Sequence, residues 1–296
     1  MIVRDAPRPL DLIFALRGSI LPRVMPHIAL LVVLSAAMAW LHEEYGLFPE
    51  VGALGFTVFG LALSLSLGFR NNAAYDRWWE ARKLWGGLLS DTRALSREVE
   101  LFVADETRRH AMLRLSLAFL HLHRVNLRNL PGDPTARALA GDLLDAPHPP
   151  DAALDRLAAL ISEGHRAGAI DGFGLRALSE RLGTMAQQQS ACERIATTPL
   201  PYVYALLIYR GTWLFCLLLP LGLIGSAGWL TPLFMGVVGY VFFGLAEVAE
   251  ELGHPFGQTP NGLPLDSICR AAEIALAPHL GEDAPPQMLP VAYFLS

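Results

Sequence analysis

The residues with the most chemical content in this chain are apolar ones at a fixed spacing. Leu61, Leu65 and Phe69 recur every fourth position and so share one stripe of a helix. Gly60, Ser64 and Gly68 repeat that spacing on the adjacent stripe. From spacing alone, close packing of one span on another through the small residues is the leading reading. The next residues, Phe69-Arg70-Asn71-Asn72-Ala73-Ala74-Tyr75-Asp76-Arg77-Trp78-Trp79-Glu80-Ala81-Arg82, mix aromatic and basic side chains as a membrane boundary does.

Other polar groups read more plainly. Glu247, Glu250 and Glu251 close a hydrophobic block, with Glu247 and Glu251 on one helix face. They could attract cations, but a solvated helix end is the simpler expectation. Arg210 interrupts another apolar block, where a central charge costs about 2.5–3.5 kcal/mol, so it is expected to pair or to snorkel. His121 and His123 are two apart and point to different helix faces, a poor metal pair. Cys192, Cys216 and Cys269 are widely separated, without pairing or ligand spacing, and read as reduced core thiols. There is no phosphate loop, His-Glu-x-x-His or G-x-S-x-G elbow. No enzyme, no cofactor, no resident metal and no nucleic-acid partner is expected.

The elements that must position these residues follow from composition. Hydrophobic residues make up 53% of the 296 and charged residues 17%, with net charge −5 and mean hydropathy +0.36. Soluble domains carry about 25% charged residues. The excess sits in two blocks, roughly 24–69 and 200–246, which describes a membrane protein with a soluble insert. Val24–Leu41 holds no acid, Lys or Arg and is long enough to cross a bilayer. Phe48–Phe69 is a second span, and the short link between them makes a helical hairpin. Tyr202–Ile224 and Trp229–Ala246 form a second hairpin, with Pro220 and Pro232 expected to kink or break them. The N-terminus lacks a signal peptide's apolar run, so insertion relies on the first span.

Arginines flank only one side of the hairpins. Arg4, Arg8, Arg17 and Arg23 precede the first span, and Arg70, Arg77, Arg82 and Lys83 follow the second. The hairpin turns carry none, which predicts cytoplasmic termini and a cytoplasmic central region. That region reads as helices over Asp76–Val103, Thr107–Leu130, Asp151–Ser162 and Leu175–Ala196, with a loop at Pro131–Pro150. A short helix, Leu265–Ala277, precedes a Pro-rich tail. The expected organisation is a first hairpin over 1–69, a helical region over 70–199, a second hairpin over 200–251 and a C-terminal segment over 252–296.

Three motifs carry a family resemblance. FRNNAAYDRWWEARKLWG at 69–86 resembles the signature of the bestrophin family in its bacterial branch. Pro199-Leu200-Pro201-Tyr202-Val203-Tyr204 matches at the entry to the third span. Glu247-Val248-Ala249-Glu250-Glu251-Leu252-Gly253-His254-Pro255-Phe256-Gly257 matches at the exit from the fourth. The resemblance covers roughly 10–280. It implies an all-α polytopic protein with four transmembrane helices, assembled with itself as a ring, a pentamer around a central pore, in the bacterial inner membrane. Counted from the Arg-Trp-Trp anchor, the narrow neck would be Leu61, Leu65 and Phe69, the same stripe that the spacing picked out. A cytoplasmic constriction falls at Phe173 in Asp171-Gly172-Phe173-Gly174, where the local match is weak and a core aromatic at a helix start is an equal alternative.

The expected function is passive conduction of small inorganic monovalent ions across the lipid bilayer. The bacterial branch implies cations, whereas animal relatives conduct anions. Animal relatives also follow Pro-Phe-Gly with an acidic run that helps to bind activating calcium. Here Gln258–Pro264 supplies no carboxylate before Asp266, too few for calcium's six to eight oxygens, so calcium activation is not expected. The rivals from other classes are a secondary transporter, which needs a polar site at the midplane, and a membrane-anchored signalling scaffold.

Overall fold

A computed structural model describes residues 1–3, 11–12, 15–16, 18–49, 51–52 and 54–296. Arg4, Arg8 and Arg17, three of the residues behind the orientation, lie outside the described residues. Helices follow in the order α1 (Leu21–Tyr45), α2 (Leu54–Phe102), α3 (Glu106–Arg128), α4 (Pro134–Ala140), α5 (Pro149–Arg166), α6 (Gly172–Thr197), α7 (Tyr202–Ala227), α8 (Thr231–Gly253) and α9 (Leu265–Leu276). Short 3₁₀ turns sit at Gly141–Asp145, Gly228–Leu230 and Ala277–Leu280. The described residues contain no strand, only isolated bridges from Phe294 to Ile2 and Val291. The fold is all-α, as expected. It divides into two units: a polar one, Met1–Arg4, Trp79–Thr198 and Pro255–Ser296, and an apolar one, Asp5–Trp78 and Pro199–His254.

In the apolar unit, α1 packs on α8 and on α7, and α7 packs on α8. Val24, Leu31, Leu63, Leu67, Phe215, Cys216, Met235 and Phe243 form its buried core. Among the described residues, three helical stretches are long and apolar enough to cross a membrane: Leu21–Tyr45, Leu54–Phe102 and Tyr202–Gly253. One of the two prolines behaves differently from expectation. α7 continues unbroken through Pro220. Pro232 lies in the first turn of α8, where its missing N–H has no intrahelical partner to lose, so it starts a helix rather than interrupting one.

In the polar unit, α3 is the central helix, packed by α4, α5, α6 and α9. Every residue from Ser116 to Val125 is buried. A helix buried all round normally carries no charge, yet this stretch includes His121, His123 and Arg124. His121 and Arg124 have charged partners, whereas His123 has ring contacts alone. His121 Nε2 lies 2.8 Å from Glu273 Oε1, and Arg124 bonds Asp266 and lies 2.6 Å from Asp133. His123 stacks between Trp85, at 5.4 Å, and Phe119, at 5.9 Å.

Two expectations fail here. The segment 131–150 is not a plain loop, because Asp133 accepts a hydrogen bond from Ala136 N at 2.8 Å and Pro134 pre-sets the first turn of α4. Residues that punctuate a loop were serving as a helix cap. The C-terminal end is not a free tail either. Val3 N donates to Tyr293 O at 2.8 Å, Leu295 N to Met1 O at 2.8 Å and Ser267 N to Ser296 O at 2.9 Å. Backbone pairing holds it despite its prolines.

Candidate ion pathway

One buried stripe runs along α2. In the apolar unit it comprises Leu63, Leu67 and Ala74, and in the polar unit Ala81, Trp85, Leu88, Leu95 and Val99. Leu61, Leu65 and Phe69 lie about 120–160° round the helix from Leu63 and Leu67, at 100° per residue. They are 63%, 56% and 73% exposed. Packing inside the apolar unit therefore does not account for this stripe. The small-residue stripe beside it divides. A Cβ at Gly60 would sit 3.0 Å from Phe215 Cζ, whereas nothing approaches Gly68. Ser64 returns its hydroxyl proton to Gly60 O at 2.8 Å, which hides a polar group on an apolar surface.

The exposed stripe continues past Phe69 to Asn72 and Asp76, both exposed. Asp76 lies seven residues after Phe69, two helical turns on, and has no ion partner among the described residues. The sequence signal was present but unread, because Asp76 sits inside a motif taken as a whole.

Phe173 is 80% exposed, so it is not a core aromatic of the polar unit. Its surroundings explain the geometry. Asp171 caps α6 by accepting from Gly174 N at 2.7 Å. A Cβ at Gly174 would meet Phe102 Cβ at 2.7 Å, so only glycine lets that turn close, and Phe173 projects outward between them.

The glutamates that close α8 are not simply solvated. Arg23 Nη1 lies 2.9 Å from Glu247 Oε1 and 3.8 Å from Glu251 Oε1, and Arg70 Nη2 lies 2.7 Å from Glu250 Oε2. Their arginine partners come from distant segments, and spacing within α8 carries no sign of them. Arg210 remains exposed, with no ion partner among the described residues. It points outward rather than into a midplane site.

No group of ligating side chains that could hold a metal occurs among the described residues. Asp266 is already committed, with Arg128 Nη1 at 2.7 Å and Arg124 also bonded. Burial pushes its carboxyl up, but Arg128 and then Arg124 hold it below the usual range. Burial, with a smaller contribution from His148, drives His123 down to about 3, so its ring stays neutral. Burial also pushes the Cys192 thiol up to about 12 and raises Cys269, leaving both unreactive. All three cysteines are free and buried.

Comparison with known proteins decides the family. The model of the bacterial and fungal bestrophin proteins matches residues 1–278. The chain belongs to this family. A voltage-dependent anion channel-forming protein of Mesorhizobium japonicum is 44% identical over 301 residues, covering 99% of this chain and 96% of the relative. The Escherichia coli K12 protein YneE, described in the same words, is 35% identical and 99% of each chain is covered. A bacterial bestrophin homologue from Klebsiella pneumoniae superposes with a TM-score of 0.81 at 30% identity, covering 90% of this chain and 100% of that one. Membership makes this a membrane protein. As a bestrophin, the chain keeps its Arg-Trp-Trp motif at the boundary of the two units, where α2 runs through without interruption.

Proposed function

We propose that this chain is the subunit of a homopentameric ion channel of the bestrophin type. The observation that carries the reading is the apolar stripe Leu61, Leu65 and Phe69, exposed on the face of α2 opposite its packing stripe. Around a symmetric ring, each position becomes an apolar collar that resists hydration. The curated relatives are named as channel formers, which supports a channel rather than an enzyme, a transporter or a scaffold.

The membrane part is read as four spans: α1, the first part of α2, α7 and α8. The stretch Tyr202–Gly253 has 52 residues, about 78 Å as one helix against a hydrocarbon core of about 30 Å. Gly228, at φ 48°, turns the chain between α7 and α8. Both termini and the polar unit are assigned to the cytoplasm of a bacterial inner-membrane protein, on the arginine asymmetry. In support, the first and last residues pair with one another in the polar unit. Phe173 is assigned to the second constriction, and its exposure at the tip of α6 agrees with that role.

The proposed ions are small and monovalent, with cations preferred. Asp76, on the neck stripe two turns past Phe69, would form a carboxylate ring beside the apolar collars. The relatives are named as anion channel-forming proteins instead, and the sign of the reversal potential separates the two. Calcium is not the activator in this reading: the segment after Gly257 lacks clustered carboxylates, and Asp266 is spent on arginines.

Purified protein in a planar bilayer tests the proposal. Discrete unitary currents are expected, with a reversal potential in a KCl gradient that follows potassium. Silence in correctly assembled protein would remove the channel reading, and a reversal potential that follows chloride would remove the cation preference.

A further inference from the structure

Where α1, α2, α7 and α8 converge at the arginine-bearing end of the apolar unit, they line an open cavity of about 310 Å³. That volume lies at the small end of ligand pockets. Its charged lining comprises Arg23, Arg70, Glu247 and Glu250, and its apolar wall includes Val24, Phe243 and Ala246. Tyr202 and Tyr209 complete it, residues suited to the head-group level of a bilayer.

The electrostatics define what fits. Arg23 Nη1 meets Glu247 at 2.9 Å and Glu251 at 3.8 Å, and Arg70 Nη2 meets Glu250 at 2.7 Å. A guanidinium carries five N–H donors, and one nitrogen of each is engaged by a carboxylate here. Arg70 is held firmly, since its side chain is only 10% exposed. Two arginines and two glutamates line the cavity. The cavity is close to balanced, so a bare anion gains little and a zwitterion finds both signs. His27 stacks on Phe243 at 5.2 Å, and its buried Nδ1 has no hydrogen-bond partner. A buried polar atom of this kind is uncommon unless something else satisfies it.

We propose that this cavity seats the head group of a zwitterionic phospholipid bearing a primary ammonium. Arg23 and Arg70 would take the phosphate, Glu247 and Glu250 the ammonium, while the acyl chains follow the apolar helices outward. A quaternary ammonium has no N–H to give the carboxylates, so a choline head group binds less well. The inference rests on membrane insertion and does not depend on the neck or on the conducted ion.

Delipidated full-length protein is exposed to equal amounts of phosphatidylethanolamine, phosphatidylcholine and phosphatidylglycerol with identical chains, and retained lipid is counted by native mass spectrometry. The wild type should retain phosphatidylethanolamine about tenfold over the other two, the scale of one charge-assisted hydrogen bond. Ala246→Trp, which fills the cavity without changing charge, should abolish the preference, and Glu250→Gln should bring phosphatidylethanolamine down to the choline level. Equal retention of the three lipids by wild-type protein overturns the proposal whether or not the variants fold. So does a preference that survives Ala246→Trp. Soluble phosphoethanolamine raising the melting temperature while the lipid is not retained would assign the cavity to a free solute and defeat the lipid proposal. Currents are recorded separately, so loss of the channel reading leaves this result readable.

Discussion

Leu65→Ala separates the neck from ordinary packing. Burying a leucine completely is worth about 1.5–3 kcal/mol, and truncating a fully packed one costs about 2–5 kcal/mol. Leu65 is 56% exposed in the protomer, so less than half of that burial is at stake, about 1 kcal/mol. For a chain of this size that is a melting shift of about 2–4 °C. If instead Leu65 is packed against a neighbouring copy, the full cavity cost applies and the shift approaches 10 °C or more. The effect on current runs the other way. As a collar residue, its truncation widens the lumen and lowers the wetting barrier, and each 1.4 kcal/mol removed raises passage about tenfold. The expected outcome is a nearly unchanged melting temperature with open-channel current or open probability increased several-fold. Both quantities come from one preparation, by thermal unfolding in detergent and by bilayer recording. A strongly destabilised oligomer with wild-type or smaller current refutes the collar.

The other predictions address topology, activation, the second constriction and the polar core. Cysteines introduced at Glu44 or Ser226 should label from outside intact cells and one at Asp133 should not; labelling at Asp133 from outside reverses the orientation. Channel activity should persist under a strong calcium chelator on the cytoplasmic side, and loss of current restored by calcium would show ligands assembled from elsewhere. Phe173→Ala should change conductance or ion preference in folded, assembled protein, because so exposed a side chain has little packing to lose; unchanged permeation removes it from the pathway. Asp266→Asn should destabilise the protein by about 3–5 kcal/mol, because Arg128 and Arg124 are 3% and 8% exposed and lose their shared carboxylate. Asp266 is held below its unfolded value of 3.8, so its contribution is complete above that value and fades as pH falls through the lower folded one. The melting difference between wild type and variant should hold near neutrality and close in acid; a gap that is constant down to strong acid argues against the ion pair.

The legible part of the fold is the part written in local periodicity. The apolar blocks, the helical spacing of Leu61, Leu65 and Phe69 and the short link at 42–47 need only neighbours in sequence to be read. Helix boundaries were less legible where a residue serves two purposes. Asp133-Pro134 punctuates a loop and also caps a helix, and Pro232 can break a helix or begin one. Long-range pairing was not legible at all. Nothing near Glu247, Glu250 and Glu251 announces Arg23 and Arg70 as their partners, because those pairs span 224 and 180 residues in sequence. The same holds for His123, whose neutral state follows from burial among residues distant in sequence such as Trp85. Asp76 lay in plain view on the stripe, but the family motif around it drew attention to its tryptophans instead.

The pairing of the first three residues with the last six has a consequence for how the chain is made. Residues 1–3 leave the ribosome before every membrane helix, while their partners, Tyr293 and Leu295, leave after all of them. The polar unit is assembled from three separated segments, with an apolar segment in each gap between them. The membrane helices must therefore be inserted while that unit is unfinished. Loop-closure entropy grows only slowly with length, so the completed clasp is thermodynamically tolerable, but it cannot form until Tyr293 and Leu295 have been made. A chain stalled before Tyr293 would carry all its membrane helices together with a polar unit that lacks this pairing.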